Sequence, residues 1–110
     1  MIISEGNTYK LEIPLTKNGE DIDINEVSIV EFMFNDLRKY YGTIDGVTGD
    51  VTYDNNEKQF IVPLSQEETF NLKGNSHIKY QARVKFTNDE VQNTRIYTGY
   101  ITEAISQEVL

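Results

Sequence analysis

The chain has 110 residues, a formal net charge of −8 and no cysteine. This length predicts one domain over residues 1–110, and the missing cysteine excludes disulfides, thiolate nucleophiles and thiolate zinc ligands. The acidic charge repels phosphates, and no apolar run approaches the roughly 18 residues of a membrane span, so we expect neither nucleic acid nor a membrane among the partners.

Alternating polar and apolar residues dominate the first half of the chain and predict strands. The first strand, residues 8–15, contains Pro14, which has no N–H to donate and therefore predicts an edge position or a switch between sheets. Asn18-Gly19 then indicates a tight turn. Residues 21–34 predict a short extended piece that leads into a strand. This strand is apolar on nearly both faces, which predicts a place near the middle of a sheet. Val30, Phe32 and Phe34 share one of its faces.

The second half continues the strand pattern. We expect a weaker strand at 37–44, a short strand at 50–54, another strand at 59–64, and one long final strand from residue 91 to about 105. The clearest pattern lies at 77–86, where five apolar-side residues alternate with five polar ones. About seven strands at this spacing predict an all-β fold, namely a two-sheet antiparallel sandwich, with a barrel as the second choice.

Residues 65–73 depart from this alternation and predict one short helical turn. Ser65 followed by Glu68 fits a capping box, in which each residue accepts a hydrogen bond from the other's backbone N–H. Gly74 is suited to the left-handed helix end. The adjacent acids Glu67 and Glu68 therefore have a structural explanation, and we interpret the segment as a corner joining two strands.

No catalytic or metal-binding constellation stands out in the sequence. The only histidine, His77, lies on the polar face of its strand without an evident partner set. Asp21, Asp23 and Asn25 match the start of a calcium loop, but the positions for its glycine and its bidentate glutamate hold other residues. We therefore expect no enzyme activity, no catalytic residue, no metal ligand and no cofactor.

Two groups of residues are candidates for a protein interface. Lys79, Arg83 and Lys85 form a basic stripe on one strand face, which either docks an acidic partner or keeps an exposed face soluble. Tyr97 and Tyr100, with Tyr40 and Tyr41, either form an exposed aromatic platform for a glycan or a protein, or are ordinary strand residues.

The segment from the corner into the following strand resembles small β-sandwich proteins of phages and prophages that infect Gram-positive bacteria. The matching residues are Val62, Leu64, Ser65, Glu67, Glu68, Thr69, Leu72, Gly74, Tyr80, Gln81, Arg83, Val84 and Lys85. The entry segment "EGNTYKLEIPLTKNGEDIDI" resembles the same group. The nearest named group is the immunoglobulin-like N-terminal module of phage baseplate upper proteins.

This resemblance implies an immunoglobulin-like sandwich that serves as a non-enzymatic structural module of a virion, associated with the tail or baseplate. The implied partners are other virion or tail proteins, or further copies of the same chain. Synthesis in the bacterial cytoplasm followed by incorporation into the virion is the expected localisation. A glycan- or surface-binding sandwich module is the alternative function.

Overall fold

The strands of the protein form two main sheets and two small hairpins in a computed structural model, which describes residues 1–72 and 77–110. The strands of the first half are β1 (Ile2–Ser4), β2 (Tyr9–Ile13), β3 (Thr16–Lys17), β4 (Glu20–Asp21), β5 (Val27–Phe34), β6 (Leu37–Tyr41), β7 (Thr43–Ile44) and β8 (Val47–Thr48). Then follow β9 (Thr52–Asp54), β10 (Gln59–Leu64), helix α1 (Gln66–Asn71), β11 (His77–Phe86), β12 (Val91–Asn93) and β13 (Tyr97–Thr102). The all-β prediction is confirmed, with α1 and a 3-10 turn at Ile24–Glu26 as the helical elements that the structure describes.

The larger sheet has the order β1-β13-β11-β5-β6, with β12 also paired to β11, and the smaller sheet has the order β2-β10-β9. The strands β3–β4 and β7–β8 each form a separate two-stranded hairpin. The middle position predicted for β5 is confirmed, because it pairs with β11 on one side and with β6 on the other. The corner helix α1 follows β10 in the smaller sheet and precedes β11 in the larger one, as its interpretation as a corner requires.

The buried core contains residues of both main sheets. The inward residues of β5 and β11 follow the predicted alternation, so that Val30, Phe32 and Phe34 are buried. Phe60 of β10 is fully buried and contacts Phe32, with ring centroids 5.7 Å apart. The buried apolar cluster comprises Ile3, Ile22, Val27, Val30, Phe32, Phe34, Val51, Phe60, Val62, Leu64, Leu72, Ile78, Ala82, Val84, Phe86 and Ile101.

The prediction of purely antiparallel sheets is wrong at one pair, because β1 runs parallel to β13. Parallel neighbours need a long connection, whereas antiparallel neighbours can be joined by a tight turn. Almost the whole chain separates β1 from β13, so this constraint is met. The predicted count of about seven strands is also too low, because β1 was not expected and β3, β4, β7, β8 and β12 are short additional pieces.

The predicted single final strand is divided into β12 and β13, which pair with successive parts of β11. Asn93 is opposite Arg83, and Tyr97 is opposite Tyr80. The three residues 94–96 therefore lie opposite only two residues of β11, 81 and 82. Such an extra residue on one strand is a β-bulge. Thr94 holds the bulge: its N–H donates to the carbonyl of Ala82, and its Oγ1 accepts from the N–H of Ala82.

Candidate interaction surface

The corner at Ser65 contains both hydrogen bonds of a capping box. The N–H of Glu68 donates to Ser65 Oγ over 3.1 Å, and the N–H of Ser65 donates to Glu68 Oε1 over 2.9 Å. Helix α1 is held further by Thr69, whose fully buried hydroxyl accepts from the N–H of Gly6 and donates to the carbonyl of Asn7. The predicted cap at Gly74 lies outside the described residues.

Gly6 is required where the corner packs against the turn after β1. Its φ of +77° lies in the left-handed region, and an added Cβ would lie 2.5 Å from the Phe70 ring. A side chain at this position would therefore be strained and would also displace Phe70. The corner thus depends on a close contact with the N-terminal segment as well as on its cap.

Glu68 also takes part in an ion-pair network around Lys39 of β6. The Lys39 ammonium lies 2.6 Å from Asp50 Oδ2 and 2.9 Å from Glu68 Oε2, and its side chain is only 5% exposed. Burial favours the neutral lysine, but the hydrogen bonds and charges of the two carboxylates outweigh it, and the pKa of Lys39 is raised. The network joins β6, the loop before β9 and α1.

The same contacts shift the pKa of Glu68 in the opposite direction. Burial raises the pKa of this carboxyl, yet the Ser65 N–H and the Lys39 ammonium stabilise its charged form more strongly, so that its pKa is lowered.

Two backbone hydrogen bonds lie beside this network. The N–H of Gly49 donates to the Gly42 carbonyl, and the N–H of Val51 donates to the carbonyl of Tyr40 in β6. We call the Lys39 network together with these two backbone bonds the closed side of the molecule.

The predicted basic stripe lies on the outer face of the larger sheet. Arg83 donates through Nε to Asn93 Oδ1 over 2.9 Å, and Lys85 lies 3.8 Å from Asp89. Within the described residues, the Lys79 side chain has no hydrogen bond or ion pair, although its backbone N–H donates to Asn35 Oδ1. Whether Lys79, Arg83 and Lys85 contact a partner stays a prediction.

The tyrosines divide between the two faces of the larger sheet, and whether Tyr97 and Tyr100 contact a partner stays a prediction. Tyr100 lies on the outer face, 4.9 Å from the His77 ring, whereas Tyr97 lies opposite Tyr80 on the core side and stacks on it at 5.3 Å. Tyr41 packs edge-on against Phe60 in the core. Side chains one or three positions apart in a strand point to opposite faces, so Tyr97 is separated from Tyr100, and Tyr40 from Tyr41.

The two main sheets leave a gap between β2 with residues 14–17 on one side and β12–β13 with residues 94–96 on the other. Two adjoining pockets, of about 130 and about 100 Å³, lie in this gap and share Leu15 and Thr94 as lining residues. The larger one is mostly apolar and includes Ile13, Pro14, Phe32, Phe34, Tyr80, Ala82 and Tyr97 in its lining. The smaller one is more polar, with Lys17, Gln92 and Asn93 beside Val84 and Phe86. We call this gap the open slot.

Along one border of the open slot, some backbone N–H and carbonyl groups have no partner strand among residues 1–72 and 77–110. Phe86 N–H donates to the Glu90 carbonyl, and Thr94 N–H donates to the Ala82 carbonyl, so the backbone groups of residues 90, 92 and 94 point toward β11. The backbone groups of Val91 and Asn93, which alternate with these residues, consequently point away from β11. The backbone N–H of Tyr100 also points away from β11 and donates to the Met1 carbonyl. The backbone groups of Thr98 point the same way, but they lie beyond the end of β1.

Exposed apolar side chains concentrate in the two ends of the chain. Apart from Val47, every large hydrophobic residue that the described chain leaves exposed lies in residues 1–2 or 91–110. These residues are Met1, Ile2, Val91, Ile96, Tyr97, Tyr100, Ile105, Val109 and Leu110. Single exposed apolar side chains are ordinary, but an exposed apolar patch marks an interaction surface.

Of the residues that match the start of a calcium loop, Asp23 serves the backbone. Asp23 Oδ1 accepts from the Asn25 N–H and caps the 3-10 turn. Among residues 1–72 and 77–110, no three histidine, aspartate or glutamate side chains are grouped so as to hold a metal ion. In the same part of the chain no helix combines the length and the apolar character needed to cross a membrane.

Comparison with known proteins gives no match, whether against family models, curated proteins or solved structures.

Proposed function

We propose that this protein is a non-enzymatic structural module of a phage or prophage virion, associated with its tail or baseplate, that works by contacting other virion proteins. The observation that carries the proposal is the concentration of exposed apolar residues in residues 1–2 and 91–110. Burying these side chains against another protein removes apolar surface from water, which is the main favourable contribution to most protein association. The resemblance of the corner and the "YQARVK" segment to phage sandwich proteins supplies the biological setting.

The proposed fold of the module is an immunoglobulin-like sandwich. The order β13-β11-β5-β6 opposite β2-β10-β9 supports it, because variable-type immunoglobulin domains place strands G, F, C and C′ in one sheet and B, E and D in the other. This chain has neither cysteine nor tryptophan, so its core is built without the antibody-type disulfide and its packed tryptophan. The Phe32–Phe60 contact joins the two sheets near the middle of the core.

The virion assignment is tested by mass spectrometry of phage particles purified from the bacterium that encodes the chain. The proposal expects the chain in these particles at a fixed ratio to the tail proteins. Co-expression with the products of the neighbouring genes should also yield a complex of defined stoichiometry. A chain that is absent from the particles and binds none of those products would refute the proposal.

A further inference from the structure

We propose that a hollow between β6 and β9 binds the ring of a neutral sugar. β6 and β9 are edge strands of the larger and the smaller sheet, and the hollow lies where these two edges meet the 3-10 turn at Ile24–Glu26 and the end of β8. Its volume of about 490 Å³ falls within the range of roughly 300–1,000 Å³ that is typical of small-molecule sites. We call this hollow the edge pocket. Such a site is independent of the proposed function, because it holds a small ligand and not a virion protein.

Two tyrosines line the edge pocket from opposite sheets, Tyr41 of β6 and Tyr53 of β9. Both side chains are half-buried and pack edge-on against Phe60, with ring centroids 5.4 and 4.8 Å from that of Phe60. Because the core holds both rings, little side-chain freedom is left to lose when a ligand binds. A tyrosine offers an apolar ring to the C–H groups of a sugar and a polar hydroxyl to its hydroxyl groups.

The polar side chains of the edge pocket have unused hydrogen-bonding groups. Asn25, Thr52 and Asn55 line the pocket together with the two tyrosines. Within residues 1–72 and 77–110, none of these five side chains has a hydrogen-bond partner. Carboxamides and hydroxyls both donate and accept hydrogen bonds, and so does each hydroxyl of a sugar. A sugar ring is therefore the ligand whose polar groups match this lining.

The charge of the edge pocket separates a neutral sugar from charged ligands. None of the described residues that line the pocket is charged, so neither an anion nor a cation finds a counter-charge in it. Burial raises the pKa of Tyr53, and so do the nearby carboxylates of Asp21, Asp23 and Asp54. The Tyr53 hydroxyl therefore remains a donor at neutral pH, and the surrounding acids repel an anionic sugar.

One wall of the edge pocket is fixed by close backbone packing at Gly42 and Gly49. The N–H of Gly49 donates to the Gly42 carbonyl over 2.8 Å. A Cβ added at Gly49 would collide with the carbonyl oxygen of Tyr40, and one added at Gly42 would collide with that of Ser28. This wall belongs to the closed side, so the pocket exists before a ligand arrives, as most small-molecule sites do.

The first test is a titration of the isotope-labelled full chain, followed by residue-resolved NMR, with neutral sugars up to about 50 mM. The probes are glucose, galactose, mannose and N-acetylglucosamine, each as a monosaccharide and as a trisaccharide. At least one of them should cause saturable shifts in the amides of residues 48–55, with a millimolar Kd because a sugar ring has few atoms. Absence of saturable shifts with every sugar, or shifts confined to other residues, would overturn the proposal.

Charged probes in the same titration test the neutrality of the ligand. Galacturonic acid should bind at least about tenfold more weakly than galactose, because its carboxylate meets the surrounding acids. Choline that binds more tightly than every sugar would overturn the proposal and assign the edge pocket to organic cations. Tighter binding of a trisaccharide than of its monosaccharide would identify a polysaccharide as the source of the ligand, and equal binding would identify a free sugar; both results support the site.

The second test uses variants that each remove one hydrogen-bonding group. Asn55→Ala and Tyr53→Phe should each weaken sugar binding by about threefold to tenfold. Tyr53→Phe keeps the ring against Phe60, and urea unfolding verifies that the fold is retained. The matched controls are Asn56→Ala, on the same turn but outside the lining, and Tyr100→Phe on the outer face.

Equal weakening in the variants and their controls, or unchanged binding in both Asn55→Ala and Tyr53→Phe, would overturn the assignment of the site. A chain that occurs in virions but binds no sugar would overturn this inference alone. A chain that binds sugar but neither occurs in virions nor binds the products of neighbouring genes would overturn the proposed function alone.

Discussion

The closed side and the open slot differ in how they treat polar and apolar groups. On the closed side, a buried lysine has two carboxylate partners, and the N–H groups of residues 49 and 51 are bonded. Beside the open slot, the outward backbone groups of β12 have no partner strand among the described residues, and Val91 on the same strand is exposed. The closed side therefore stabilises the single chain, whereas the open slot leaves backbone and apolar groups that the chain alone does not cover.

The largest expected effect comes from breaking the closed side at Lys39. Lys39→Met leaves Glu68 and Asp50 without their shared cation, and removal of one member of a buried ion pair is strongly destabilising. Because the Asp50 side chain is 56% exposed and rehydrates, we expect a smaller loss of about 2 kcal/mol in the free energy of unfolding. Urea denaturation measures it.

The control for that change is Arg38→Met on the same strand. Arg38 pairs with Glu31 over 2.7 Å, but its side chain is 46% exposed, and exposed pairs contribute about 0–1 kcal/mol. Equal losses in the two variants would contradict the role given to the buried network.

A smaller effect is expected from Ser65→Ala, which removes the hydroxyl that accepts from the Glu68 N–H. Loss of such a cap costs about 1 kcal/mol. Thermal or urea unfolding measures the loss, with the exposed Ser28→Ala on β5 as the matched control. An unchanged stability would show that the corner is held by Thr69 and Phe70 without its cap.

The dependence of stability on pH sharpens the comparison further. The pKa of Glu68 is lowered from its ordinary value of 4.5, so its stabilising contribution is present above about that pH and is lost as the pH falls through its folded pKa. The pKa of Lys39 is raised from 10.5, so its contribution is present below that pH and is lost at higher alkalinity.

Glu68→Gln should therefore reduce the stability difference between pH 6 and pH 3 relative to the wild type, as measured by urea unfolding at each pH. The matched variant Glu67→Gln removes a neighbouring acid that has no part in the Lys39 network. It should leave the pH dependence nearly unchanged. An identical acid response in both variants would contradict the assignment of the pH dependence to Glu68.

The smallest effect on stability is expected at the open slot. Ile96 is 60% exposed, and Ile96→Asp should change the free energy of unfolding by less than about 0.5 kcal/mol, as surface substitutions generally do. The same variant should weaken association at the border, because it places a charge in surface that would be buried. A large stability loss without an effect on association would place Ile96 in the fold and remove it from the interaction surface.

The sequence predicts best those parts whose pattern is local. The alternation in β5 and β11 gives their inward residues, and the Ser65–Glu68 spacing predicts the two hydrogen bonds of the corner. A similar alternation in β6 places Lys39 on the inner side with Leu37 and Tyr41, and this pattern indicates that Lys39 is buried. Its two partners, Asp50 and Glu68, are distant in sequence, so the network itself required the fold.

The parts that the sequence could not predict depend on pairing between distant segments. The parallel β1–β13 pair joins opposite ends of the chain, and no local pattern records it. The bulge at residues 94–96 is set by the hydrogen bonds of Thr94 to Ala82 and interrupts an otherwise continuous strand pattern. The open slot arises only once β2 and β12–β13 have taken their places in different sheets.

Residue-resolved hydrogen exchange of the chain alone and in complex with the product of a neighbouring gene tests the contrast between the two sides most directly. In the chain alone the amides of Val91, Asn93 and Thr98 should exchange fast, while the amide of Val51, bonded to Tyr40 on the closed side, should exchange slowly. In the complex the three exposed amides should become protected, with Val51 unchanged. Slow exchange of these three amides in the chain alone, or fast exchange of all three in the complex, would contradict the account.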